Sequence, residues 1–226
     1  MNYTELSEAL KAYTQNYEDD FVANIPVFVQ QAEQRIYNTV QFPSLRKNVT
    51  GLTTANNKYL SAPGDFLAVY SLAVVDQTGA YEYLLNKDVN FIRQAYPTPT
   101  STGLPKYYAL FGPTTTNNTP PVITDELSFI LGPTPDQAYT VELHFYYYPE
   151  SITVAADGRT WLGDNFDSVL LYGSLVEAYT FMKGEADMLT LYNTKYNEAL
   201  ALAKRLGDGM ERTDAYRTGQ FRQAVT

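Results

Sequence analysis

The chain has 226 residues, of which 45% are hydrophobic and 18% charged, and its formal net charge is −9. This acidic balance argues against tight nucleic-acid binding, which needs clustered lysine and arginine. The chain contains no cysteine, which excludes disulfides and thiolate sites. Its N-terminus does not resemble a signal peptide and no apolar run is long enough to cross a bilayer, so we expect no membrane partner.

The N-terminal segment shows the hydrophobic period of two helices. The first is predicted to start at a cap formed by Asn2 or Thr4 and has an apolar stripe of five residues: Leu6, Ala9, Leu10, Tyr13 and Tyr17. The second is predicted over residues 24–40, with Pro26 in its first turn, where the missing N–H has no cost.

From residue 46 to about residue 150 the pattern changes to short strands. Residues 49–53 and 58–62 are predicted as strands around a tight turn at Asn56-Asn57. Further strands are predicted at residues 67–75, 81–85, 106–111, 126–131 and 139–148, with a short helix at 88–96 and loops at 97–105 and 112–121. Alternation in the last strand predicts a sheet with one apolar face and one polar or aromatic face.

The helical period returns after Asp164. One helix is predicted up to Gly184, which breaks it, and a second follows as far as Gly207-Asp208-Gly209, a strong stop signal. Residues 210–226 show no clear period. The predicted class is therefore α+β: a helical bundle of N- and C-terminal helices with an inserted antiparallel β domain and an extended C-terminal arm. The predicted domains are residues 1–45 with 160–208, residues 46–159, and residues 209–226.

The sequence provides little for catalysis. His144 is the only histidine, and its position on the outer face of a strand is best explained as a surface residue. Three carboxylate clusters stand out: Asp19-Asp20, Asp125-Glu126, and Asp164 with Asp167. The first and third occupy positions typical of helix N-termini. We therefore expect no enzyme activity, no metal and no cofactor.

Tyrosine is the most unusual feature of the composition, with twenty residues against one tryptophan. The Tyr107-Tyr108 and Tyr146-Tyr147-Tyr148 runs place rings on both faces of their strands, which suits either an interface or a face that the helices of the bundle cover. The C-terminal segment also combines arginine with aromatic residues, the types that anchor interfaces. It is predicted to order on a partner, although a frayed terminus would give the same pattern.

Several segments, taken in order, carry a family resemblance: residues 3–6, 25–36, 60–67, 105–108, 132–139, 146–149, 161–162 and 170–178. Together they resemble the head-to-tail adaptor proteins of tailed bacteriophages over about residues 3–206. The resemblance implies a structural protein of the virion neck, made in the host cytoplasm, that forms a dodecameric ring below the portal. Such a ring adds to the DNA channel, lets DNA pass without sequence-specific binding, and docks the tail or nozzle.

The resemblance also implies roles for two sets of residues. The C-terminal arm would bind the portal protein through Arg212, Tyr216, Arg217, Phe221 and Arg222. Loops of the β domain would face the tail through Pro97, Pro99, Thr114, Thr115, Asn117 and Asn118. Two alternatives remain open: another neck or tail-completion protein, and a carbohydrate-binding module, against which the long terminal helices count.

Overall fold

The structure is a computed structural model that describes residues 1–40, 42–98, 100–116 and 122–211. It is of the α+β class. The chain divides into two compact units. Residues 1–45 and the chain from residue 148 onward form the first, here called the helical unit, and residues 46–147 form the second, here called the β unit.

Within the described residues the structure has six α-helices, a 3-10 helix at Pro43–Leu45 and eight strands. The helices are α1 (Tyr3–Thr14), α2 (Asp19–Thr39), α3 (Val89–Ala95), α4 (Trp161–Asn165), α5 (Asp167–Phe181) and α6 (Ala186–Glu211). The strands are β1 (Arg46–Leu52), β2 (Tyr59–Ser61), β3 (Ala68–Val75), β4 (Tyr81–Tyr83), β5 (Leu85–Asn86), β6 (Tyr107–Thr116), β7 (Val122–Gly132) and β8 (Thr140–Tyr146). Helix α3 lies in the β unit and the other helices lie in the helical unit.

Helix α1 begins with a complete capping box. The Asn2 side chain accepts the N–H of Glu5, and the Glu5 carboxylate accepts the N–H of Asn2, which satisfies two backbone donors at the start of the helix. Leu6 and Leu10 are fully buried, as the stripe predicts, but Tyr13 and Tyr17 are exposed. The stripe therefore contributes only its first half to the core.

Helix α2 begins at Asp19, not at residue 24, so Pro26 lies inside the helix and the prediction for its first turn was wrong. The first turn instead carries Asp19 and Asp20, whose negative charge interacts favourably with the helix dipole. An interior proline removes one backbone hydrogen bond and costs about 3 kcal/mol. Burial of the apolar residues on either side of Pro26, among them Phe21 and Phe28, offsets this cost.

Helices α2, α5 and α6 pack closely because small residues lie at their contact. Gly173 of α5 faces Ala32 of α2 and the ring of Tyr196 of α6, and a Cβ at Gly173 would lie 3.2 Å from both. Farther along, the rings of Phe28 and Phe181 meet with 5.1 Å between centroids. Helix α6 continues to Glu211, so the predicted stop at Gly207-Asp208-Gly209 was wrong.

The β unit consists of two four-stranded sheets. The first has the order β1-β8-β3-β4 and is antiparallel throughout, and the second has the order β2-β7-β6-β5 with a parallel β5–β6 pair. Their apolar faces share one core, in which Phe66 joins the sheets: its ring lies 5.4 Å from Phe129 and 5.9 Å from Phe145. Strand β8 alternates between buried and partly buried residues, which confirms its predicted pattern.

Several pairings differ from the prediction. The predicted turn lies one residue earlier, with Ala55-Asn56 at its centre, the Asn57 N–H donating to the Thr54 carbonyl and Asn56 at a φ of 61°. It joins strands of different sheets, because β1 pairs with β8 and β2 pairs with β7. The β6–β7 ladder extends into the predicted loop at 112–121, where Thr114 pairs with Thr124. The strand predicted at residues 81–85 is divided: β4 pairs with β3, whereas Leu85 belongs to β5 and pairs with Tyr107 of β6.

The segment that follows β8 belongs to the helical unit. The sequence predicts a β domain that extends to residue 159, whereas the compact β unit ends at Tyr147. Residues after Tyr147 pack on α2: the Tyr148 hydroxyl hydrogen-bonds with Asn38, and the backbone N–H of the buried Ile152 donates to the Glu33 carboxylate at 3.0 Å. These local contacts explain why the boundary falls earlier than the residue composition suggests.

Candidate interaction surfaces

The residues assigned from the family resemblance fall mainly where the structure gives no description. All five arm residues (Arg212, Tyr216, Arg217, Phe221 and Arg222) lie outside the described residues, as do Pro99, Asn117 and Asn118 of the loop set. Pro97 is exposed after α3. Thr114 and Thr115 lie in strand β6, paired with Thr124 and Ile123, and therefore not in a loop.

The histidine and the aspartates that were candidates for catalysis occupy ordinary structural positions. His144 lies on the outer face of β8 with its ring 4.9 Å from that of Tyr70. Asp164 forms an ion pair with Arg159 at 3.0 Å, and Asp167 lies in the first turn of α5. Over the described ranges, no three histidine, aspartate or glutamate side chains are grouped closely enough to hold a metal ion. The same part of the chain has no helix with the length and apolar character to span a membrane.

The outer face of the first sheet carries a group of aromatic side chains. Tyr70 contacts the rings of His144 and Tyr146, and the Arg46 guanidinium lies 4.7 Å from the centroid of Tyr70. On the edge strand β4, Tyr81 and Tyr83 are exposed and their rings stack at 6.4 Å. A largely uncharged aromatic face of this kind is typical of protein interfaces.

Polar groups are fixed between these rings. Glu142 accepts a hydrogen bond from the Asn48 side chain at 2.6 Å. The Tyr81 phenol also donates a hydrogen bond to Glu142, which raises the pKa of the phenol and keeps it protonated.

The outer face of the second sheet is covered by helix α3. Ile92 of α3 is buried against Ala109 and Ile130 of the sheet. The helix approaches so closely that a Cβ at Gly132 would lie 2.9 Å from Ile92 and Tyr96. Tyr107 packs on this cluster, so its ring is covered by α3 of the β unit and not by a helix of the bundle. The two sheets differ in this respect: one outer face is covered and the other is open.

The helical unit has an open polar cleft beside α2. Its volume is about 350 Å³ and its lining is Gln31, Gln34, Arg35, Asn38, Thr39 and Glu177. Arg35 forms an ion pair with Glu177 of α5, and its guanidinium lies 5.7 Å from the ring centroid of Tyr196 of α6. One arginine thus links three helices, and the cleft presents amide groups that can hydrogen-bond with a polypeptide.

Glu33 is a feature that the sequence analysis missed. It is only 3% exposed, and burial raises the pKa of its carboxyl, partly countered by hydrogen bonds from Ile152 and Ser151. A signal was present in the sequence, because Glu33 lies between Val29 and Ile36 on the stripe that faces the core. A charged residue on an apolar stripe indicates a specific buried partner.

A third surface lies at the end of the helical unit where α1 joins α2. Tyr13, Tyr17 and Phe181 are all exposed there, with relative exposures of 47%, 66% and 45%. Glu18, Asp19 and Asp20 are exposed beside them. Exposed aromatic rings next to carboxylates are unusual on a free surface and indicate a contact area.

Comparison with known families identifies the chain. The family model described as SU10 adaptor protein matches residues 1–223, which is nearly the whole chain. A search of curated proteins finds no significant match. The chain therefore belongs to the SU10 adaptor family of phage head-to-tail adaptors, structural proteins of the virion neck that associate with other virion components.

Proposed function

We propose that the protein forms a dodecameric ring below the portal at one capsid vertex, where it extends the DNA channel and docks the tail or nozzle. The observation that carries this proposal is the family match over residues 1–223. In this role the protein is a helical bundle with an inserted, mainly antiparallel β domain and a C-terminal arm, and it catalyses no reaction. DNA passes through the ring during ejection without sequence-specific contacts.

The division into two compact units supports this role. An adaptor must contact the portal on one side and the tail on the other, and neighbouring subunits must present different complementary surfaces to close a ring. The helical unit and the β unit each carry exposed aromatic side chains, for example Tyr17 and Tyr83. We assign the helical unit and the arm to the portal, and the β unit to the tail.

The net charge supports the channel role. The chain carries −9 overall, and carboxylates that line a channel repel DNA phosphates and keep the DNA from adhering. In the arm, Arg212, Arg217 and Arg222 are suited to charge-assisted hydrogen bonds with carboxylates of the portal protein. Tyr216 and Phe221 would supply the apolar anchors.

We keep the assignment to the tail side for Pro97, Pro99, Thr114, Thr115, Asn117 and Asn118. Of these, Thr114 and Thr115 belong to the β6–β7 ladder and have a fixed register. Backbone that is already paired loses less conformational freedom on binding than a flexible loop does.

The arm assignment is tested by replacing its three arginines with glutamine (R212Q/R217Q/R222Q) and measuring binding to the cognate portal by sedimentation. We expect the dissociation constant to rise by at least about tenfold, because three charge-assisted contacts are lost. The matched control is K204Q/R205Q, which removes two positive charges at exposed positions of α6. Unchanged portal affinity in the arm variant, with normal ring formation on the portal, would overturn the assignment.

A further inference from the structure

The surface at the α1–α2 junction is built by two segments that are distant in sequence. The Asn16 side chain lies against Met182, with 3.4 Å between Nδ2 and Sδ, and the same Asn16 side chain accepts the N–H of Glu18 at 2.9 Å. Phe181 extends the contact inward to Phe28. The start of α2 and the end of α5 are therefore held side by side.

We call the exposed part of this surface the end patch; its members are Tyr13, Tyr17, Glu18, Asp19, Asp20 and Phe181. Its Phe181 ring packs on the buried ring of Phe28, and the centroid of Phe28 lies 5.7 Å from that of the buried Phe21. The patch thus has a rigid base, aromatic faces and three exposed carboxylates. An arginine side chain can satisfy both features at once, because a guanidinium stacks on aromatic rings and pairs with carboxylates.

The chain itself contains a segment with the complementary chemistry. Residues 212–226 include three arginines and one aspartate, so this segment carries +2 in a chain whose total is −9. It also contains Tyr216 and Phe221, which can pack against the exposed rings of the patch. Charge complementarity thus favours this segment as the occupant of the end patch.

The length of α6 decides whether residues 212–226 bind the end patch of their own copy or that of a second copy. Helix α6 starts at Ala186, close to Phe181, and runs for 26 residues to Glu211. At 1.5 Å per residue, the segment 212–226 starts about 39 Å away from the start of α6. A fully extended chain covers at most about 3.5 Å per residue, so some eleven residues would be consumed in returning along the helix. Arg212, Tyr216 and Arg217 would then not reach the patch of their own copy.

We propose that, in the free protein, the end patch of one copy binds residues 212–226 of a second copy, and that the portal competes for the same segment during assembly. The inference rests on the proposed function in taking these residues as a binding arm. The contact is head-to-tail, since it joins two different surfaces. It keeps the arm occupied until the portal is present.

The test measures self-association of the full-length protein by sedimentation equilibrium. The patch variant Y17S/D19N/D20N is compared with the control E150Q/D157N, which removes two exposed carboxylates from the same unit. We expect the patch variant to raise the dissociation constant for self-association at least about tenfold, and the control to leave it within about twofold. Added salt should weaken the wild-type contact, because exposed charges are screened.

A second measurement separates this inference from the proposed function. A fluorescent peptide of residues 209–226 is titrated into wild-type protein and into the patch variant, and portal binding of both proteins is measured in parallel. The inference is supported if the patch variant loses peptide binding and self-association but still binds the portal. Equal peptide binding by the two proteins overturns it, and so does a wild-type protein that stays monomeric at all concentrations. Failure of wild-type protein to bind the portal contradicts only the proposed function.

Discussion

The helical unit and the β unit obtain their cores in different ways. In the helical unit each buried face follows from the period of one helix, as with Phe21, Phe28 and Val29 of α2. In the β unit the partners are far apart in sequence: Arg46 opposes Tyr146 in the β1–β8 ladder. Local contacts form at a small loss of chain entropy, whereas distant pairings require long loops to close first. The core of the β unit therefore depends more heavily on a few large residues at its centre.

The largest expected effect comes from removing such a residue. Phe129 is fully buried and its ring meets Phe66 and Tyr108 of the β-unit core. We expect Phe129→Ala to lower the free energy of unfolding by about 3–5 kcal/mol through lost burial and a cavity. Hydrogen exchange should show the loss of protection concentrated in residues 46–147. An equal loss of protection in α2 and α5 would mean that the two units unfold together and that their cores do not act separately.

In the helical unit the corresponding sensitive feature is a buried hydrogen bond to Glu33. Glu33→Ala removes the acceptor for the buried N–H of Ile152, and we expect the free energy of unfolding to fall by about 1–3 kcal/mol. Glu33→Gln keeps an acceptor oxygen and should recover most of this loss. Denaturant unfolding of the two variants is the measurement. Equal destabilisation by alanine and glutamine would show that the carboxylate charge, and not the hydrogen bond, holds the segment.

The same residue makes a prediction about pH. Burial raises the pKa of Glu33 above its ordinary value of 4.5 in the folded state, so the folded protein binds the proton more tightly than the unfolded chain. This contribution to stability is complete below pH 4.5 and is lost as the pH rises through the folded-state pKa. Wild-type stability relative to Glu33→Gln should therefore decline as the pH rises from 4 towards neutrality. A difference that does not change with pH would contradict the raised pKa.

A smaller effect is expected at the start of α1. Asn2→Ala removes the side-chain half of the capping box and should cost about 1 kcal/mol. Thr4→Ala is the matched control, because the sequence alone left Thr4 as an alternative cap, and Thr4 is exposed within the helix. Thermal unfolding should separate the two variants. A larger loss of stability for Thr4→Ala than for Asn2→Ala would contradict the assignment of Asn2 as the cap.

The sequence predicted the local elements better than their partners. The short helix after Asp88 and the buried face of β8 follow from capping and alternation, which act within a few residues. The turn predicted at Asn56-Asn57 was located to within one residue, but a local signal does not tell whether the flanking strands pair with each other. Pro26 was misplaced because proline marks helix starts far more often than interiors.

The interaction surfaces were predictable only in part. The sequence left open whether the strand tyrosines lie at an interface or under the bundle's helices. In the structure Tyr70 is exposed on the outer face of the first sheet, whereas Tyr107 packs under α3. The end patch was not predicted, because Tyr13 and Tyr17 continue the apolar stripe of α1 and the sequence pattern places them in the core. Only the packing of α5 beside the α1–α2 junction shows that the stripe extends past its partner.

The smallest effects on stability should give the sharpest comparison of the two units. Tyr17 of the helical unit and Tyr83 of the β unit are 66% and 64% exposed, so serine at either position should change the free energy of unfolding by less than about 0.5 kcal/mol. Their effects on binding should differ. Tyr83→Ser should weaken binding to the cognate tail or nozzle protein and leave self-association unchanged, and Tyr17→Ser should do the reverse. Each variant is the control for the other, because the same ring is removed from a surface of the same exposure. If both variants weakened both interactions, the two surfaces would not act separately, and the assignment of Tyr83 to the tail contact and of Tyr17 to self-association would be wrong.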